Sequence, residues 1–149
     1  MAVAGEAQLQ PERRQVEWAR DIAEAGATAI IGQHPHVMQP MEKITASDGR
    51  EVPVAYSLGN FVSGQIGLPR RSTAILLLGL APNSNRKLTT AALGWIPVWM
   101  TGPGFFAEPT ERARSGEARS HYNHLVGILP QGNVHPAALP YWNNGAYRA

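Results

Sequence analysis

Residues 27–37, ATAIIGQHPHV, and residues 55–62, AYSLGNFV, bracket the most informative part of this chain. The first segment reads as a short apolar strand, Ala27–Ile31, that stops at Gly32. His34 and His36 follow at once, with Pro35 between them. In an extended backbone, residues i and i+2 project to the same side. Proline fixes its own φ and pushes the preceding residue toward an extended conformation. A His-Pro-His loop at a strand end therefore aims two imidazoles at one point, which is half of a metal site. Neutral imidazole is the commonest side-chain metal ligand. A catalytic zinc usually takes three protein ligands and keeps one open position, and a two-metal phosphoesterase clamp needs more, bridging carboxylate included. The chain has two aspartates, Asp21 and Asp48, on the expected helix and at the expected turn tip, and neither completes such a shell. The alternative for His34 and His36 is a pair of ordinary loop histidines.

Working outward, residues 10–25 read as a helix, with Pro11 in the first turn and Gly26 after the last. Val16, Ala19, Ile22 and Ala23 give it an apolar stripe. Arg13/Glu17 and Arg20/Glu24 stand four apart on its solvated face. A helix followed by a continuous apolar strand predicts an αβ unit with the strand buried in a sheet covered on both faces. Ligand sites in α/β layers favour the loops beyond the strand C-termini, where His34 and His36 fall. Val37–Ile44 and Val52–Phe61 predict a hairpin around Ser47-Asp48-Gly49-Arg50, since Asp-Gly is a strong turn signal. That hairpin would return Ser57–Asn60 toward the histidine loop. Ser72–Leu80 and Leu88–Met100 read as two further strands, paired antiparallel across the turn Pro82-Asn83-Ser84-Asn85, with Pro97 interrupting the second. The fold class is α/β with a mixed sheet.

Beyond residues 101–104 the character changes. Glu108–Ser120 reads as a polar helix, His121–Leu129 as mixed, and 130–149 as irregular. His121 and His124 would share a helix face, with surface positions the expectation, and His135 belongs to a loop. Trp95, Trp99, Phe105 and Phe106 are expected in the core or covering the sheet. Ser57 lacks the Gly-x-Ser-x-Gly elbow of a serine hydrolase.

Composition narrows the function classes. The 149 residues suffice for one domain with a sizeable core. A net charge of +2 without any Lys/Arg run offers no nucleic-acid footprint. Zero cysteines exclude disulfides and thiolate metal sites. No apolar run reaches the ~20 residues of a membrane helix, and no charged-then-apolar leader pattern is visible.

Ile31-Gly32-Gln33-His34-Pro35-His36-Val37 followed by Ala55-Tyr56-Ser57-Leu58-Gly59-Asn60-Phe61-Val62 resembles the bacterial capsule synthesis protein family, the CapA type linked to poly-γ-glutamate capsules. The resemblance covers roughly residues 6–100. It implies a layered α/β sandwich similar to the calcineurin-like metallophosphoesterases, of which this chain resembles the C-terminal half. Residues 1–102 would be the family segment, and 103–149 a helical and irregular tail of the same domain. His34 and His36 match the family's Gly-His-x-His metal motif, and Gln33 stands where members often carry a further histidine. The implied cofactors are divalent ions, Mn, Fe or Zn. Asn60 would orient a ligand from behind; equally, Gly59 and Asn60 would simply shape a strand end. Phe61 replaces the histidine of the phosphoesterase Gly-Asn-His motif. The family's other metal segments lie further N-terminal, and Met1–Glu6 looks like a remnant of the last of them. The implied process is capsule or exopolymer biosynthesis, with the polymer or its precursors and an N-terminal half or a second copy as partners. The other reading is a non-catalytic domain that acts as a binding or assembly partner, an incomplete sheet edge serving as the contact.

Overall fold

Helix α1 forms at Arg13–Glu24, inside the predicted 10–25. Its entrance is fixed by Gln15, whose Oε1 accepts from the Glu12 backbone N–H at 2.8 Å, one arm of a capping box. Gly26 follows the helix at φ 108°, the left-handed conformation that favours glycine after a helix end. Ala19 and Ala23 are buried, and Ala19 packs with Val54 and Tyr56. Ile22, predicted on the same stripe, stays exposed. Arg13 pairs with Glu17 at 2.7 Å. The expected partnership of Arg20 with Glu24 gives way to a tertiary one: the Glu24 carboxylate accepts from the Ser47 N–H and its Oγ–H, the latter at 2.6 Å. Glu24 thus ties the helix end to the hairpin turn, and Glu24→Ala should cost about 1 kcal/mol in urea unfolding.

The computed structural model describes residues 7–102, 104–110 and 115–129. Strands β1 (Ile30–Ile31), β2 (Met41–Thr45) and β3 (Glu51–Ala55) form a first sheet in the order β1-β3-β2. β1 runs parallel to β3, with Ile30 opposite Val54 and Ile31 opposite Ala55. β2 runs antiparallel to it, so the sheet is mixed, as expected. The hairpin turns at Asp48-Gly49, with Gly49 at φ 83°. Arg50 leaves that turn to donate to the Ala23 and Ala27 carbonyls at 2.8 and 2.7 Å. Those two bonds tie the hairpin turn to the end of α1 and to the chain just after it. Arg50 also holds the exposed Asp48 carboxyl below its usual range through a hydrogen bond.

β1 corrects one expectation. The predicted five-residue strand covered on both faces is two residues at a sheet edge, with Ile31 53% exposed. Only Ile30 and Ile31 find register with β3 before Gly32 turns the chain away.

Strands β4 (Ser72–Pro82) and β5 (Leu88–Thr101) pair antiparallel along almost their whole length, with a register shift at Gly79/Leu80. Pro97 sits within β5, where its missing N–H is not required and its carbonyl accepts from Thr110 N–H. β6 (Phe106–Pro109) adds to β5. α2 (Leu68–Arg71) is a single turn leading into β4, and α3 spans Gly116–Ile128. The polar helix predicted at 108–120 is therefore displaced: residues 106–109 pair with β5, and the helix starts after Ser115, whose Oγ accepts from Ala118 N–H. His121–Leu129, read as mixed, lies mostly on this helix. Residues 130–149, with His135, and Met1–Glu6 fall outside the described residues.

Leu125 and Leu129 join α3 to Met38, Met41, Ala55, Ala74 and Trp95 in the largest apolar cluster. The tail helix thus packs on the strands that carry the histidine segment. Trp95 and Trp99 are buried, but Phe105 and Phe106 are exposed, contrary to expectation, because β6 lies at the end of its sheet. β4 leaves Ile75 and Leu77 more than one-third exposed. Among the described residues no helix is long and apolar enough to cross a membrane.

Candidate metal centre

The histidine loop begins where β1 ends. Gly32 N–H donates to Ala55 O at 2.7 Å, and the chain passes so close to β3 that no side chain fits at Gly32. Pro35 is buried, its carbonyl taking a hydrogen bond from Ala7 N–H at 2.8 Å. Val37, Met38 and Gln39 are fully buried. The loop is thus pinned at both ends, and His34 and His36 occupy its outer side, exposed and half-buried respectively.

The backbone does not follow the extended path that the Pro35 argument predicts. His34 and His36 adopt φ 116° and 62°, a region that side-chain-bearing residues rarely enter. Such residues persist where surrounding contacts over-determine them, at about 1–3 kcal/mol each, and they cluster at functional sites. Here the surrounding contacts are the burial of Pro35 and of 37–39. The rings nevertheless come together, with centroids 6.2 Å apart and planes tilted by 46°.

The 55–62 segment returns beside this loop, as the hairpin predicted. Met38 bridges Leu58, and Gln39 N–H donates to Ser57 O at 3.1 Å. Thr73 Oγ1 holds the Leu58 carbonyl at 2.7 Å. Gly59 takes φ 70° against the backbone of Val37, Met38 and Ser72. The next residue, Asn60, places Oδ1 2.8 Å from His36 Nδ1. Its Nδ2 donates to Gln65 Oε1 at 2.9 Å and to Arg70 O at 3.2 Å. His34, His36 and Asn60 are therefore brought together. Gln65 and the Arg70 carbonyl belong to the same constellation and carry no sequence signal: they sit in a loop without period or motif.

Three aspects bear on whether these residues fit a metal. Imidazole is a suitable donor. A metal-ligating histidine characteristically donates its other ring N–H to an oxygen acceptor, as His36 does to Asn60. Two rings sharing one ion through nitrogens ~2.1 Å from it have centres at most about 6.5 Å apart, so 6.2 Å lies at the wide end of that range. The pair fits as part of a donor set. Among the described residues no three His, Cys, Asp or Glu side chains group to complete it.

Residues 1–65 match the profile of the bacterial capsule synthesis protein PGA_cap family. Over this segment the chain is similar to the bacterial capsule synthesis family. The matched residues contain both histidines, Asn60 and Gln65. The chain is similar to the PGA biosynthesis protein CapA of Bacillus subtilis (strain 168), at 38% identity over 73 residues, 49% of this chain and 18% of the relative. It is also similar to the capsule biosynthesis protein CapA of Bacillus anthracis, at 33% identity over 88 residues, 59% of this chain and 19% of the relative. The aligned stretches span about a fifth of the length of these capsule synthesis relatives.

A second histidine cluster lies away from this centre. His121, expected at the surface, is 2% exposed. Its Nδ1 meets Ser72 Oγ at 2.7 Å, and that hydroxyl also donates to Leu68 O. Burial, and next the nearby Arg71 guanidinium, push the His121 pKa below its ordinary value. Burial does the same to His124. Neither is aimed outward as a ligand pair would be. The α3 amphipathic face that docks on β4 and β5 carries His121 inward with Ala118 and Leu125.

Proposed function

We propose that this chain serves capsule or exopolymer biosynthesis and contributes His34 and His36 as ligands to a divalent-metal centre of phosphoesterase type. The observation that carries the reading is the His36–Asn60 hydrogen bond inside the segment matched by the capsule synthesis family. A bound ion would polarise a phosphoryl oxygen and activate water. The chain's own part is narrower: His36, oriented by Asn60, and His34 beside it present imidazole nitrogen on the outer side of a pinned loop. Further ligands and the substrate pocket would come from the remainder of a longer protein or from a second copy.

Metal titration of the purified chain with Mn, Fe and Zn, alongside His34→Ala/His36→Ala, tests this reading. Saturable binding of one or two ions that the double variant loses is the expected result. Binding indifferent to both substitutions would overturn it.

A second reading, a non-catalytic binding or assembly partner, is supported by exposed apolar side chains. Ile31 on the edge strand β1 and Phe61, Val62 and Ile66 on the loop after Asn60 are all at least half exposed. An unpaired strand edge is a template for another chain. Native mass spectrometry showing a stable oligomer without metal would favour it; a monomer that binds metal would favour the first.

A further inference from the structure

We infer that Gln65 and the Arg70 carbonyl act through Asn60 as a tautomer lock. They hold neutral His36 in its Nδ1–H form and leave Nε2 as its lone-pair nitrogen. This deepens the metal-centre reading, but its logic runs through hydrogen-bond polarity and needs no metal.

The chain of constraint starts at a backbone atom. Arg70 O can only accept, so the Asn60 atom 3.2 Å from it must be the amide nitrogen. Gln65 Oε1 takes the second amide hydrogen at 2.9 Å. With both N–H groups committed on one side, Asn60 Oδ1 faces His36, and a carbonyl oxygen can only accept. The hydrogen between Oδ1 and Nδ1 at 2.8 Å therefore belongs to the imidazole. A neutral ring has one N–H, so Nε2 carries the lone pair.

Gln65 is itself held, since its backbone N–H donates to Ser63 Oγ at 3.1 Å. Arg70 lies on α2, which the Arg71–Glu117 contact ties to α3, as the Ser72–His121 contact does for the first residue of β4 that follows it. The lock is thus anchored in the packed part of the fold rather than in the loop alone. An aspartate at position 60 would not serve, because it would turn a carboxylate oxygen onto the Arg70 carbonyl. His34 has no hydrogen-bond partner among the described residues, so its tautomer is left to solvent. One ring is fixed and its neighbour adapts, an arrangement suited to accepting a divalent cation or another electrophile at Nε2 of His36.

Long-range 1H–15N correlation spectra of the metal-free full chain at about pH 8, where histidine is neutral, read the tautomers directly. His36 should show a single Nδ1–H pattern and His34 a mixed one. Asn60→Leu should convert His36 to the mixed pattern, and Gln65→Ala should shift it part of the way. A wild-type His36 in the Nε2–H form, or a His36 pattern unchanged in Asn60→Leu, would overturn the lock. The wild-type spectrum decides even if a variant fails to fold. Metal titration of the same samples separates the two readings. A locked His36 without metal binding leaves the lock standing and removes the metal centre. Metal binding with an unlocked His36 does the reverse. Where both hold, Asn60→Leu should weaken metal affinity about 10–100-fold.

Discussion

Gly32→Ala is expected to cost about 3 kcal/mol or more and to lower the melting temperature by roughly 6–12 °C. A Cβ at this position would stand 2.2 Å from Tyr56 O and 3.0 Å from Tyr56 C. Both are backbone atoms of the chain running on from β3, so no rotamer change relieves the contact. The only escape is to move β1 from β3, and β1 holds on by two residues alone. The penalty is steric and not conformational: Gly32 does not have a positive φ. Gly64→Ala and Gly116→Ala are the matched controls, since an added Cβ at either meets nothing within 4 Å. Both should unfold within about 0.5 kcal/mol of wild type. Equal stability of Gly32→Ala and wild type would mean that the close approach of residues 32 and 56 is not present in solution. Because Gly32 is two residues before His34, the same substitution should also disturb the imidazole pair, making it a joint probe of fold and site.

How much of this was legible beforehand divides along local and tertiary lines. The hairpin around Asp48-Gly49, the β4–β5 pairing and helix α1 were readable because each is specified by its own residues, through turn chemistry or period. The proximity of Asn60 to the histidine loop followed from the hairpin, since a tight turn leaves the returning strand no other place. What was missed depends on contacts distant in sequence. Glu24 left its i−4 arginine for Ser47 because the backbone N–H there needed an acceptor. The backbone of His34 and His36 is dictated by the burial of Pro35 and 37–39, which no local preference announces. His121 was misread because a helix with a polar composition hides its docking face. Only the packing of Ala118, His121 and Leu125 against β4 and β5 shows which side is inward. Gln65 had no signal at all, being a loop residue that acquires meaning from where Asn60 points.

That docking face leads to the second large effect, a loss of stability on mild acidification that centres on His121. The folded state holds this ring neutral. Burial is the main cause, with the Arg71 guanidinium adding to it, while Glu117 opposes. His124, one turn further along α3, is also depressed by burial and meets the same fate to a smaller degree, since it is less enclosed. Below the ordinary histidine value of 6.5, the unfolded chain binds protons that the folded chain refuses. Stability is therefore complete above that pH and falls as pH drops below it, by at most about 1.4 kcal/mol per pH unit for each histidine. The groups facing His121 are Ser72 on β4, Arg71 on α2, and Glu117 and His124 on its own helix; Trp99 of β5 offers a ring face at 5.1 Å. None of these places a carboxylate on the ring close enough to reverse the sign. Urea unfolding of wild type and His121→Leu between about pH 7.5 and 5 isolates the effect, because carboxylate titration is common to both and cancels in the difference. The wild type should lose more stability than the variant over that interval. Parallel curves would show that His121 is not held neutral. The partner substitution gives an asymmetric result. His121→Leu leaves the Ser72 hydroxyl still donating to Leu68 O, whereas Ser72→Ala strands a buried imidazole N–H and should cost about 1–3 kcal/mol at neutral pH.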